Sequence, residues 1–179
     1  MNLKGSKTEQ NLWSAFAGES KVRMKYTYFA SQADKEGYKQ MSAIFQETAD
    51  NEKEHAKRFY KFLIGGSIKP TVDNLLEAAE GELEEHSKLY PEYARIAREE
   101  GFDEIADVFI EIAEVEEQHE KRFRKLLENI KNDTVFKKPT PVKWKCRNCG
   151  YVHEGTEAPE LCPACAHPQS YYEVLAENY

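Results

Sequence analysis

The sequence predicts a mainly α fold, a four-helix bundle followed by a small cysteine-bearing appendix, and three observations predict it. Apolar residues recur every three or four positions through residues 1–131 and lapse only near glycines. Two Glu-x-x-His patterns, Glu52 to His55 and Glu116 to His119, lie on those apolar stripes. Four cysteines stand in two close pairs, Cys146/Cys149 and Cys162/Cys165.

A chain of 179 residues suffices for one core and a small second domain. A net charge of −7 argues against nucleic acid or an acidic membrane surface as a partner. No run is long and apolar enough to span a bilayer, and the start, Met1 to Gly5, lacks the apolar centre of a secretion signal. With every cysteine in a tight pair, none is left for an ordinary structural disulfide. The expected setting is reducing and cytoplasmic.

The first helix opens at Ser6-Lys7-Thr8-Glu9, a capping box in which Ser6 bonds a free amide and Glu9 reaches back. Its stripe runs through Leu12, Phe16, Val22, Tyr26, Phe29 and Ala33 to a break at Gly37. The second helix carries Met41, Phe45, Thr48, Phe59 and Phe62 and stops at Gly65-Gly66, residues suited to a left-handed terminus. Pro70 and Thr71 start the third helix, with Thr71 as its cap. Pro91 removes an amide donor and predicts a kink just past Tyr90. After Gly101 the fourth helix presents Ile105, Phe109, Ile112, Phe123, Leu126 and Ile130. Residues 132–143 lose the period and contain Pro139 and Pro141, so they read as a linker. Residues 144–179 are too few to fold on a core alone and require a metal staple.

Carboxylates stand where core residues belong. Glu19 interrupts the first stripe, Glu52 and His55 the second, Glu82 and Glu85 the third, and Glu116 and His119 the fourth. A buried carboxylate without a partner costs several kcal/mol or takes up a proton, so five of them require cations. Any one acid on a helix is ordinarily a solvated charge, which is the reading for Glu54, Glu117 and Glu120. His86, although next to Glu85, reads as an ordinary half-exposed histidine. Glu19 and Glu52 are 33 residues apart, and Glu82 and Glu116 are 34 apart. Both midpoints fall beside the Gly37 and Gly101 breaks, so each half reads as a helical hairpin with its acids at one height. Imidazole mixed with several carboxylates suits iron or manganese.

Cys146-Arg147-Asn148-Cys149 and Cys162-Pro163-Ala164-Cys165 make two knuckles with the spacing of a tetrahedral four-thiolate site. A structural zinc ribbon has the same spacing. Iron is the sharper reading beside a redox-competent bundle. Trp144, Tyr151, Tyr171 and Tyr172 read as a miniature core, and Ala166 stands where such knuckles often have a second glycine.

The residues Phe16-Ala17-Gly18-Glu19-Ser20, Glu47 to Asp50, Glu52-Lys53-Glu54-His55, Ala94 to Gly101, Glu116 to Phe123 and Cys146 to Tyr151 together resemble the rubrerythrin family over nearly the whole chain. The resemblance implies a ferritin-like bundle with two non-haem irons and a rubredoxin-like domain with one. It implies a peroxidase that reduces hydrogen peroxide to water, with the two metals polarising the peroxide and supplying one electron each. The implied electron source is an NAD(P)H-dependent rubredoxin-type reductase, or rubredoxin. Carried over by motif, Glu52 and Glu116 would bridge the irons, Glu19 would hold one, and Glu82 with His119 the other. Glu85 and His55 would exchange on the first iron as it is oxidised or reduced. Tyr26 and Tyr90 match tyrosines near the family's site, where core packing and proton delivery are both open roles. The rival readings are a ferritin-like ferroxidase or iron-handling protein, and a zinc-stapled interaction module with a solvated acidic bundle.

The repeat implies that the second and third helices run parallel, so the link between them must cover roughly 34 Å at 1.5 Å per helical residue. Its six residues reach about 24 Å when fully extended. The expectation is a homodimer that exchanges helix pairs. The alternative is a simple up-down-up-down bundle.

Overall fold

Helix α1 (Lys7–Lys35) starts where the Ser6 side chain accepts from the Glu9 amide at 3.1 Å. The Glu9 carboxylate reaches back one residue further than expected, to the Gly5 amide at 2.5 Å. The computed structural model describes residues 2–179, so Met1, the first residue of the start read as lacking a secretion signal, lies outside it.

Contacts divide the chain into two units, Met1–Lys69 and Pro70–Tyr179. In the first, α1 packs along α2 (Lys39–Leu63). The turn between them uses Gly37 at φ +88°, a conformation that costs glycine little. The residues that vanish into this hairpin are small: Ala30, Ala33, Ala49 and Ala56. Alanine at a helix contact lets the two backbones approach closely. The bulky stripe residues Phe29, Met41 and Phe62 stay 46–55% exposed.

The second unit begins with α3 (Thr71–Glu84), a π-turn (Glu85–Leu89) and α4 (Tyr90–Glu99), all packed against α5 (Asp103–Lys131). Alanine again does the sealing, at Ala79, Ala94, Ala97, Ala106 and Ala113, with Leu127. Ile105, Ile112 and Leu126 remain 37–51% exposed. Thr71 does not cap α3; Pro70 occupies that position and no side chain bonds there. The irregularity expected past Tyr90 lies one turn earlier and is a π-turn rather than a simple kink. Pro91 explains its presence, because the ring cannot tolerate the carbonyl of an α turn behind it and a widened turn relieves the clash.

The π-turn also accounts for the unequal repeats. From Gly37 to Glu52 and from Gly101 to Glu116 is 15 residues in each half. From Glu19 to Gly37 is 18, whereas from Glu82 to Gly101 is 19. The extra residue falls in the arm that contains the π-turn.

A three-stranded antiparallel sheet ends the chain, in the order β2–β1–β3. Strand β1 (Lys137–Cys146) begins inside the stretch 132–143. Its pairing with β2 (Val152–Glu157) is irregular between Lys137 and Val142, where Pro139 and Pro141 lack amide donors. Strand β3 (Tyr172–Val174) lies on the other edge of β1 and follows a 3-10 turn (Gln169–Tyr171). Trp144, Cys146, Ala158, Cys162 and Tyr172 form the buried centre of this part. The Trp144 indole satisfies its N–H on the Gly155 carbonyl at 3.0 Å. None of the helices, among the described residues, is long and apolar enough to cross a membrane.

Candidate metal centres

Each hairpin carries the same three-ligand cluster. In the first unit, ligand atoms of Glu19, Glu52 and His55 lie within 4.8 Å of one another, and in the second those of Glu82, Glu116 and His119 do so. Three residues along a helix place Glu52 and His55 on one face, so His55 Nδ1 meets a Glu52 oxygen at 2.8 Å. The pair His119 and Glu116 repeats this at 2.6 Å, with Glu82 3.7 Å from the same ring nitrogen.

Burial, followed by a carboxyl–carboxyl hydrogen bond to Glu52, raises the Glu19 carboxyl above its ordinary range. Glu82 is raised in the same way, by burial and then by Glu116. Each hairpin thus holds two acids close enough to share a proton, and a divalent cation can take that proton's place. The donor set of oxygen and imidazole nitrogen fits iron.

Glu85 stands on the π-turn outside the three-ligand cluster, near enough for its charge to act on Glu82. Tyr90 hydrogen-bonds to Glu85, and burial first, then Glu85, raises its phenol above the usual value. Its ring stacks on Phe109 with centroids 6.0 Å apart. Tyr26 sits between Phe29 and Phe45, each 6.1 Å away by ring centroid.

Two residues set aside in the sequence prove to be joined. Glu120 is not a solvated charge: it is 14% exposed, His86 meets it at 2.7 Å and Arg124 at 2.6 Å. Arg124 in turn reaches Glu80 at 3.2 Å. This chain of charges ties the start of the π-turn to α5. His86 and Glu120 are 34 residues apart, the same separation as Glu82 and Glu116. That equal spacing was the available signal for the contact. Glu54 and Glu117 do meet solvent, paired with Lys57 and Lys121.

The four cysteines are free and converge. Cys146 and Cys165 sulfurs lie 3.8 Å apart, and those of Cys149 and Cys162 lie 3.7 Å apart. A disulfide would bring a pair to about 2.05 Å. A tetrahedral metal with sulfur ligands at about 2.3 Å requires edges of about 3.8 Å, so the cluster fits a metal. The two knuckles close alike, with the Gly150 amide on the Cys146 carbonyl and the Ala166 amide on that of Cys162. Ala166 adopts φ +55°, doing what Gly150 does at +79°.

Amide donors point at the sulfurs. The His167 amide, ahead of other neighbours, draws the Cys165 thiol down to about 6. The Tyr151 amide lowers Cys149, but the other thiols, Cys165 first, outweigh it and push that group up to about 12. Burial raises Cys162, yet the Tyr172 hydroxyl and the Ala164 and Cys165 amides hold it below the ordinary range. One such cluster therefore favours some thiolates at neutral pH, as a metal site requires.

The sequence family described as Rubrerythrin matches residues 10–127, and the family described as Rubrerythrin, rubredoxin-like domain, matches residues 144–173. The chain is 54% identical to the rubrerythrin of Nitratidesulfovibrio vulgaris over 99% of both chains. It is 52% identical to that of Porphyromonas gingivalis, over 99% of this chain and 94% of the other. Among solved structures, partially reduced nigerythrin is 30% identical over 97% of this chain and 91% of that one, with a TM-score of 0.37. With the two family matches and the three ligand clusters together, the cofactors are two irons at carboxylate and histidine ligands of a ferritin-like bundle, and one iron at the four cysteines. With both family parts matched in order and over half of the residues shared along the full length, the chain belongs to the rubrerythrin family, oxidoreductases that join a di-iron site to a rubredoxin-like iron in oxidative-stress defence.

Proposed function

We propose that this chain reduces hydrogen peroxide to two waters, taking two electrons and two protons per turnover, with the electrons entering through the four-cysteine iron. The observation that carries the reading is the twin cluster: two acids and a histidine, arranged alike in each hairpin. The irons, when bound, supply the electrons that break the O–O bond and the positive charge that draws peroxide in. Glu52 and Glu116 would be shared between the irons, Glu19 would hold one, and Glu82 with His119 would hold the other. Glu85 and His55 would each be able to hold the first iron, the anion suiting the ferric state and the neutral imidazole the ferrous. Support for this comes from the π-turn, on which Glu85 stands, and from the Tyr90 hydroxyl that bonds it, which would hand on a proton. Tyr26 lines the corresponding region of the first hairpin.

The assembly is a homodimer in which the first hairpin of one chain meets the second hairpin of its partner. What supports this is the exposure of Phe29, Met41, Phe62, Ile105, Ile112 and Leu126 on the faces that carry the acids. Covering a large apolar side chain is worth about 1.5–3 kcal/mol, and so open a face needs a partner. In domain terms, 1–131 form the ferritin-like part, 132–143 the connection and 144–179 the rubredoxin-like part. The electron donor is an NAD(P)H-dependent rubredoxin-type reductase or rubredoxin, and the setting is the reducing cytoplasm, which four free cysteines suit.

The test is iron analysis followed by anaerobic stopped-flow, with reduced protein mixed against peroxide and then against oxygen. Reoxidation should be faster with peroxide, and the mass should be that of a dimer. Fast reoxidation by oxygen with slow reoxidation by peroxide, in a large hollow assembly, would point to a ferroxidase.

A further inference from the structure

Tyr172 is 4% exposed, and its hydroxyl oxygen is buried without a partner that satisfies hydrogen-bond geometry. A hydroxyl stranded in this way is costly unless it finds a partner. The sheet dictates where it points. Tyr172 lies opposite Cys146 in the β1–β3 register, so the two side chains share the inner face. Tyr172 packs in the same buried cluster as Cys146 and Cys162, so the unpartnered hydroxyl lies among the cysteines.

We propose that the Tyr172 hydroxyl donates a hydrogen bond to the Cys162 thiolate of the iron-loaded cluster and thereby raises the reduction potential of that iron. This rests on the assignment of iron to the four cysteines. The charge arithmetic sets the direction. Four thiolates around a ferric ion carry a net −1, and around a ferrous ion −2. One electron enters, and no proton is needed. The donor therefore binds the reduced cluster more tightly than the oxidised one. The backbone amides of Ala164, Cys165 and His167 act in the same sense, but every sequence with this loop geometry supplies them. A phenol at 172 depends on one side chain, so a single substitution there removes its contribution.

The experiment uses the full iron-loaded chain. Its midpoint potential is followed by the thiolate-to-ferric absorbance in three forms: unaltered, Tyr172→Phe, and 3-fluorotyrosine installed at position 172. Phenylalanine keeps the ring and removes the donor; the fluorinated ring keeps the packing and donates more strongly. Tyr172→Phe should shift the reduction equilibrium about tenfold toward the oxidised form, which is about 59 mV downward for one electron. The fluorinated form should move upward. A general disturbance of packing would move both the same way. Tyr171→Phe, at an exposed neighbour, should leave the potential in place. The proposal is overturned if Tyr172→Phe leaves the potential unchanged, or if the two variants shift in the same direction. Protein that shows no thiolate-to-ferric absorbance in any form would instead overturn the iron assignment, and this proposal with it.

Discussion

Cutting the link between His86 and Glu120 tests whether the π-turn is held by its charges. His86 and Glu120 are 17% and 14% exposed, and their contact is 2.7 Å. A hydrogen bond to a charged group contributes about 1.5–3 kcal/mol, and slight exposure argues for the low end, about 1.5 kcal/mol. For a chain of this size that lowers Tm by about 3–6 °C. Glu120→Ala should cost more than His86→Ala, because it also releases Arg124. Thermal unfolding of the iron-loaded protein, as His86→Ala, Glu120→Ala and the double variant, isolates the pair. The coupling should be about 1 kcal/mol. The pH dependence has a definite sign. His86 first and Arg124 second lower the Glu120 carboxyl in the folded state. Its contribution is therefore present above the unfolded value, about 4.3, and is lost as pH falls through the lower folded value. Additive single-variant costs, within about 0.3 kcal/mol at neutral pH, would refute the brace.

Three further outcomes are expected. Ile112→Glu places an unpaired charge on the exposed stripe of α5; ultracentrifugation should show a monomer, and bundle iron should fall from two per chain toward none, whereas an intact, fully loaded dimer would count against the exchanged assembly. Cys162→Ser should abolish the thiolate-to-ferric absorbance and loosen amide exchange across β1, β2 and β3, while helical circular dichroism changes little. The metal-free protein should gain stability as pH falls from neutral toward 4.5, because Glu19 and Glu82 take up protons more readily folded than unfolded; iron loading should release protons into a weak buffer and flatten that profile, and an indicator dye showing no release would contradict it.

The glycine breaks and the 3–4 stripes were legible because they depend on local backbone preference. Gly37 and Gly101 do turn the two hairpins. The acids facing the stripe were legible for a different reason: a charge among apolar neighbours is conspicuous in one dimension. The π-turn was not, since Pro91 announces strain without saying which turn will yield. Yet the one-residue difference between the repeats was already in the numbering. Glu120 was misjudged because a helix face is read from its own element, and its partner His86 comes from another, the π-turn. Tyr172 looked like packing because side-chain type does not disclose where a hydroxyl ends. Most of the alanines at the hairpin seams were also missed by a search for large apolar residues, of which Leu127 alone among those described is buried in the helices.

The added residue between Glu82 and Gly101 has a wider meaning. A helix advances 1.5 Å and turns about 100° with each residue, so one surplus residue rephases the outgoing arm of the second hairpin against its counterpart in the first. Without it, the two hairpins would repeat the same spacing on both sides of their glycine turns. With it, the second hairpin carries a further carboxylate, Glu85, on its π-turn, where the first has Val22 three residues past Glu19, so one motif used twice yields two unlike hairpins.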